Sequence, residues 1–292
     1  MNKAVLCQLN ETEAQEFMMS YVILTKNDGA IVIDGGRPEN MDLLKKCVGK
    51  RKIRAWILTH AHSDHISGFM SEMDKNGCAD FDIEKIYFNF PPYNLIERKD
   101  VVDYNYLVEE LDDCLPEFNR LLPKFSHKVH TPQRGDVLDI DGLKIEFLYT
   151  YREEYLELLL NNLMNDCSLV FKVTGEKRTA LFLGDLGPDS GDILFNDARE
   201  KLKSDIVQMA HHGHMNCSME VYAEIAPEIC LWPAPEWLYK EPVIPGYLAD
   251  REDMIKKGRG RMYGVALTRK WMDILGAKKH YVTKDGYCEI EI

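Results

Sequence analysis

Thr59-His60-Ala61-His62-Ser63-Asp64-His65 is the stretch that decides the fold. Three imidazoles and a carboxylate fall within six residues, directly after the apolar run that ends at Leu58. Side chains two apart on extended backbone share a side, so His60 and His62 can aim at one point. Asp64 and His65 follow as the chain turns into a helix expected over residues 66–75. Neutral imidazole and carboxylate are the ligands expected for zinc, manganese or iron. A lone histidine would be an ordinary polar residue; this density at a strand-to-helix junction points to a metal site.

The same pattern recurs downstream. Leu181-Phe182-Leu183-Gly184-Asp185 is an apolar strand ending in a carboxylate, whose two oxygens could bridge two metals. Val207-Gln208-Met209-Ala210-His211-His212-Gly213-His214 is a third strand running into histidines. Six of the nine histidines lie in the first and third of these segments. Upstream, residues 20–26 and 30–33 form a hairpin around Asn27-Asp28-Gly29 that delivers Asp34 to a strand end beside Gly35-Gly36.

Strands are further expected over residues 4–9, 53–59, 83–89, 136–140, 143–149, 168–174, 179–183, 205–209 and 229–232, with a C-terminal strand pair at 280–283 and 287–292. Helices are expected over 40–49, 103–122 (bounded by Pro123), 155–164, 193–202, 221–226 and 267–275. Strands interleaved with helices predict an α/β domain with mixed sheets. No short repeat or low-complexity linker divides the chain, and residues 1–292 are expected to form a single domain.

Composition narrows the function. The net charge of -12 opposes nucleic acid as the substrate, because phosphate neutralisation supplies most of that affinity. Apolar runs are too short to span a membrane. The N-terminus lacks the pattern of a signal peptide, so the cytoplasm is the expected compartment. The eight cysteines contain no C-x-x-C pair and are expected to be reduced. Tyr149, Tyr151, Trp232, Trp237, Tyr239 and Tyr247 could line a rim, although core and loop packing is favoured for them. Lys256, Lys257, Arg259 and Arg261 could attract phosphate, although a charge run is usually a solvated face.

Together the H-x-H-x-D-H run, the strand-ending Asp185 and the later histidines resemble the metallo-β-lactamase superfamily. Asn165-Asp166-Cys167-Ser168-Leu169-Val170, Gly184-Asp185 and His211-His212-Gly213 are similar to the hydrolase domain of competence-type DNA-uptake proteins and their soluble phosphodiesterase relatives. The resemblance implies a four-layer αββα sandwich and a binuclear metal site. It places His60 and His62 on a first metal, Asp64, His65 and His212 on a second, and Asp185 between them. His211 would donate a proton or contact phosphate, Asp64 and His211 being the expected catalytic residues, and Asp34 would orient ligands.

One departure stands out: the superfamily's usual further first-metal histidine is missing, since no histidine occurs between His130 and His211. Asn165 or Asp166 must stand in, and Asp166 is the expected ligand; Asp166→Ala is then expected to lower the metal stoichiometry. The implied cofactors are two divalent ions, zinc first, with manganese or iron as alternatives. The implied function is hydrolysis of a small phosphate ester or phosphodiester by a metal-bound hydroxide. The alternatives are an acyl hydrolase of lactonase or thioesterase type, or a metal-binding sensor without turnover.

Overall fold

The computed structural model describes residues 3–10, 16–94, 113–155, 163–241 and 263–292. Two seven-stranded sheets organise them. The first holds β1 (Val5–Gln8), β2 (Ser20–Leu24), β3 (Gly29–Asp34), β4 (Lys52–Ile57), β5 (Ile86–Tyr87) and β6 (Val129–His130) in chain order. The second holds β7 (Val137–Ile140), β8 (Leu143–Tyr149), β9 (Val170–Thr174) and β10 (Thr179–Phe182), then β11 (Ile206–Gln208), β12 (Ile229–Trp232) and β13 (Lys279–Val282). The last strand, β14 (Cys288–Glu291), returns to the first sheet and pairs antiparallel with β1.

Each sheet runs antiparallel on one side and parallel on the other. In the first, β3, β4, β5 and β6 are parallel; in the second, β10, β11, β12 and β13 are. Parallel strands covered on both faces need apolar residues at every position. Strand β3, Gly-Ala-Ile-Val-Ile-Asp, meets this and is buried throughout. Its Ile31 and Ile33 join Tyr21, Ile57, Phe171 and Phe182 in the core between the sheets. Val32, pointing the other way, packs with Trp56, Leu44 and Phe69 under the helices α1 (Met41–Val48) and α2 (Ser63–Asn76). The second sheet places Leu181, Val207 and Trp232 against Leu194, Tyr222 and Trp271 on its outer helices. Full burial of such side chains contributes about 1.5–3 kcal/mol each. Helix, sheet, sheet, helix is the four-layer αββα sandwich.

Several expectations shift. The C-terminal strands do not pair with each other: the 3-10 turn Thr283–Asp285 carries the chain from the second sheet to the first. Helix α3 (Leu115–Phe125) contains Pro123 rather than ending before it. Only two residues of helix follow the proline, so its missing N–H costs one bond near the frayed end. Of residues 83–89 only Ile86–Tyr87 form a strand, with Ile83 bridging Ile53. Between 155 and 164 the described helix is α4 (Leu163–Asp166). The next helix, α5 (Pro188–Ala198), starts earlier than expected, with proline at its first position, where no N–H is needed. All eight cysteines are free thiols.

Candidate metal centre

Each chemical residue sits just past the C-terminal end of a strand, and the backbone there turns sharply. Asp34 ends β3 with φ 56°, Gly184 follows β10 with φ 56°, and His211 and His212 follow β11 with φ 47° and 55°. Non-glycine residues rarely enter this left-handed region, and strain of this kind collects at functional sites. The turns are held in place. His211 N–H donates to Gly184 O at 3.1 Å. A side chain at Gly184 would put its Cβ 2.7 Å from the Ser168 side chain, so only glycine fits the turn.

Four side chains converge. Ligand atoms of Asp64, His65, Asp185 and His212 all lie within 4.8 Å of one another. His212 Nε2 is 2.9 Å from Asp64 Oδ2 and 3.3 Å from Asp185 Oδ2. His65 Nε2 is 3.2 Å from Asp185 Oδ2 and 3.6 Å from Asp64 Oδ2. Beside them, His60 Nε2 and His62 Nδ1 face each other at 3.1 Å, with Asp185 Oδ2 3.9 Å from His60 Nε2. Asp185 therefore lies between a four-ligand group and a histidine pair.

Outer contacts fix each ring. His65 Nδ1 donates to Asp34 Oδ2 at 2.8 Å, and His212 Nδ1 donates to Pro233 O at 2.5 Å. Both bonds turn Nε2 inward, as metal-binding imidazoles require. Asp34 is fully buried and also accepts from Thr59 N–H at 2.7 Å and the Thr59 hydroxyl at 2.8 Å. Ser168 Oγ accepts from Asp185 N–H at 2.9 Å. Gln208 Oε1 accepts from Leu183 and Gly184 N–H, both at 2.8 Å, and its amide donates to Gly184 O.

A sequence profile described as the Metallo-beta-lactamase superfamily matches residues 17–220. The chain belongs to the metallo-β-lactamase superfamily. No curated protein matches it. Among solved structures, the metallo-beta-lactamase fold protein YhfI from Bacillus subtilis is 14% identical, at TM-score 0.54, over 98% of this chain and 99% of that one. Igni18, a metallo hydrolase from Ignicoccus hospitalis, is 14% identical at TM-score 0.50, covering 99% of both chains. CmlA, a diiron beta-hydroxylase from Streptomyces venezuelae, is 12% identical at TM-score 0.56, over all of this chain and 55% of that one. At these identities the likeness is one of fold.

For a superfamily member the donor set fits divalent cations. It combines imidazole with carboxylate, the mixture suited to zinc, manganese or iron. His65 Nε2 and Asp185 Oδ1 are also buried with no hydrogen-bond partner among the described residues. Such atoms are costly unless something coordinates them. Their charges respond to one another. Burial opposes ionisation of Asp64 and Asp185, but the neighbouring His65 and His212 outweigh it and hold both carboxyls below their ordinary range. Burial likewise opposes the charge on His65 and His212, and Asp185 and Asp64 overcome it. His65 is raised well above its usual value and His212 to about 9. His60 is pushed well below its usual value by burial and by His65, and stays neutral.

Asp166 is not brought into this cluster. Its Oδ1 accepts from Gly187 N–H at 3.2 Å and from the Ser190 hydroxyl, at the start of α5. Asn165 turns the other way, its Nδ2 lying 3.4 Å from His211 Nε2. His211 is buried at the edge of the site, and its Nδ1 has no hydrogen-bond partner among the described residues. Two supporting residues escaped the sequence reading. Gln208 carried a signal, a lone amide inside an apolar strand; Ser168 carried none, being an ordinary residue at a strand start. Of the candidate rim aromatics, Trp232 and Tyr149 are buried in the core, whereas Trp237 is 54% exposed. Tyr247 and the basic run Lys256, Lys257, Arg259 and Arg261 lie outside the described residues.

Proposed function

We propose that the whole chain is one metal-dependent hydrolase domain acting on a phosphate ester or phosphodiester of a small molecule. The observation that carries this reading is the convergence of Asp64, His65, Asp185 and His212 within 4.8 Å, with the His60–His62 pair alongside. Asp64, His65 and His212 would hold one cation, His60 and His62 a second, and Asp185 would touch both. Cations so held lower the pKa of bound water towards neutrality and neutralise charge that develops on an oxyanion. Zinc is the first expectation for these ligands, with manganese or iron next.

The chain's own groups do the rest. Asp34 and the Pro233 carbonyl keep His65 and His212 aimed inward, so the ligand geometry exists before substrate arrives. Ser168 and Gln208 hold the Gly184-Asp185 turn against movement. His211, neutral because burial lowers its pKa, can hold or pass a proton at Nδ1 towards a leaving oxygen. Among the described residues no helix is long and apolar enough to cross a membrane.

The test is a panel of chromogenic phosphate monoesters, phosphodiesters, lactones and thioesters with zinc-, manganese- and iron-loaded protein. Phosphate-ester turnover lost on chelation, and lost in His62→Ala and Asp185→Asn, is the expected result. Turnover confined to acyl esters would transfer the site to acyl hydrolysis. Turnover surviving chelation would remove the cations from the mechanism.

A further inference from the structure

The metal centre has an aromatic wall. Phe17 lies with its ring centroid 4.7 Å from that of His212 and stacks on His214 at 5.6 Å with the planes 13° apart. Its edge meets Trp237 at 5.3 Å and 77°. Trp237 stands on the short helix α7 (Glu236–Tyr239), one ring removed from a candidate ligand. The chain has four tryptophans. Trp56, Trp232 and Trp271 are buried, whereas Trp237 is 54% exposed. An indole in the core loses no contact with water by being large; an indole left at the mouth of a polar site leaves apolar surface uncovered.

We propose that Trp237 is the specificity residue of the site and stacks on a planar aromatic group that the substrate carries within a few bonds of its scissile ester. The inference rests on the hydrolase reading and names the substrate class for it: aryl- or base-bearing phosphate esters rather than small alkyl ones. Phe17 acts as the spacer. One of its faces is covered by His214 and its edge fixes the indole, so the exposed indole surface is what the wall offers. A flat ring covers that surface best, and aromatic pairs add to the area they bury. Substrate rings held there would bring the attached ester over the ligands that adjoin Phe17.

The probes are phenylphosphonate and methylphosphonate, which share an anion and resist hydrolysis, titrated against metal-loaded protein by calorimetry and by tryptophan fluorescence. The phenyl compound should bind roughly tenfold more tightly, the scale of one stacked ring. It should quench the red-edge emission, which comes from Trp237 as the exposed indole. Trp237→Ala should erase the phenyl advantage while methylphosphonate affinity and metal content stay the same, and Trp237→Phe should keep most of it. Equal affinities in the wild-type protein, a phenyl advantage surviving Trp237→Ala, or binding of neither compound overturns the subsite. A phenyl advantage that depends on Trp237, in a protein that hydrolyses no ester, upholds the subsite and overturns only the hydrolase reading.

Discussion

Replacing Asp34 by asparagine separates the support of the site from its ligands. The Asp34 carboxylate takes three donors: Thr59 N–H on Oδ1 at 2.7 Å, and the Thr59 hydroxyl and His65 Nδ1 on Oδ2, both at 2.8 Å. A backbone N–H cannot rotate away, so the amide oxygen of the variant must remain at Thr59 N–H. The amide NH2 then replaces Oδ2 and confronts His65 Nδ1. Either two N–H groups oppose each other, or His65 moves its proton to Nε2. The second outcome removes the lone pair from the nitrogen that faces Asp64 and Asp185. Loss of such an outer contact weakens metal binding roughly 10- to 100-fold. Loss of a buried bond to a charged group also destabilises the fold by about 1.5–3 kcal/mol.

The two effects are read separately. Competition with a chromogenic chelator gives metal affinity, and denaturant unfolding in excess EDTA gives the stability of the metal-free chain. The expected result is a drop in both, without any change in the ligand residues themselves. Metal affinity within twofold of wild type, in a variant that folds, would refute the reasoning: His65 would then be oriented by something other than Asp34.

Two further outcomes follow from the same geometry. In the metal-free protein His212 keeps its proton up to about pH 9. A histidine raised in the fold stabilises it fully below its ordinary value of 6.5, and that contribution is lost as pH rises through the folded value. Metal-free protein should therefore lose stability between pH 6.5 and about 9, while metal affinity climbs over the same window; calorimetry in buffers of different ionisation enthalpy should register proton release on binding. A flat affinity profile there would remove the protons from the site. Asp166→Ala should leave metal content unchanged by elemental analysis and lower unfolding stability by about 1–2 kcal/mol, the scale of a lost helix-end acceptor. A halved metal content would return Asp166 to the ligand set.

The Asp166 reversal shows where sequence stops being legible. Asn165 and Asp166 are neighbours on α4, so their side chains diverge by about 100° around the helix axis. One can face the metal centre only if the other faces away. That choice depends on the rotation of a four-residue helix, set by contacts with α5 rather than by its own residues. Ser168 and Gln208 are hidden for the same reason: their bonds to the Asp185 turn cross from neighbouring strands. His60, His62, Asp64 and His65 are legible because one strand and one turn position all four. Asp185 and His212 are legible because the strand-then-ligand pattern repeats. The C-terminal strands misled because adjacency in sequence suggested a hairpin, whereas Ile290 and Ile292 bury themselves in the core between the sheets only if β14 joins β1.

Charge balance explains why the two halves of the centre should behave differently. Asp64 and Asp185 bury two negative charges, which His65 and His212 neutralise while they hold their protons. A dication binding these four residues displaces two protons, so the buried charge is the same before and after. That exchange avoids the large cost of an uncompensated charge in a low-dielectric interior, and protons keep the ligands together until the metal replaces them. The histidine pair has no such exchange available. His60 is already neutral, Asp166 points to α5, and the nearest carboxylate is the Asp185 that the four-ligand group shares. A second dication there adds charge that the chain alone does not offset, so its retention depends on an anion supplied from outside, which is what a phosphate-bearing substrate would bring.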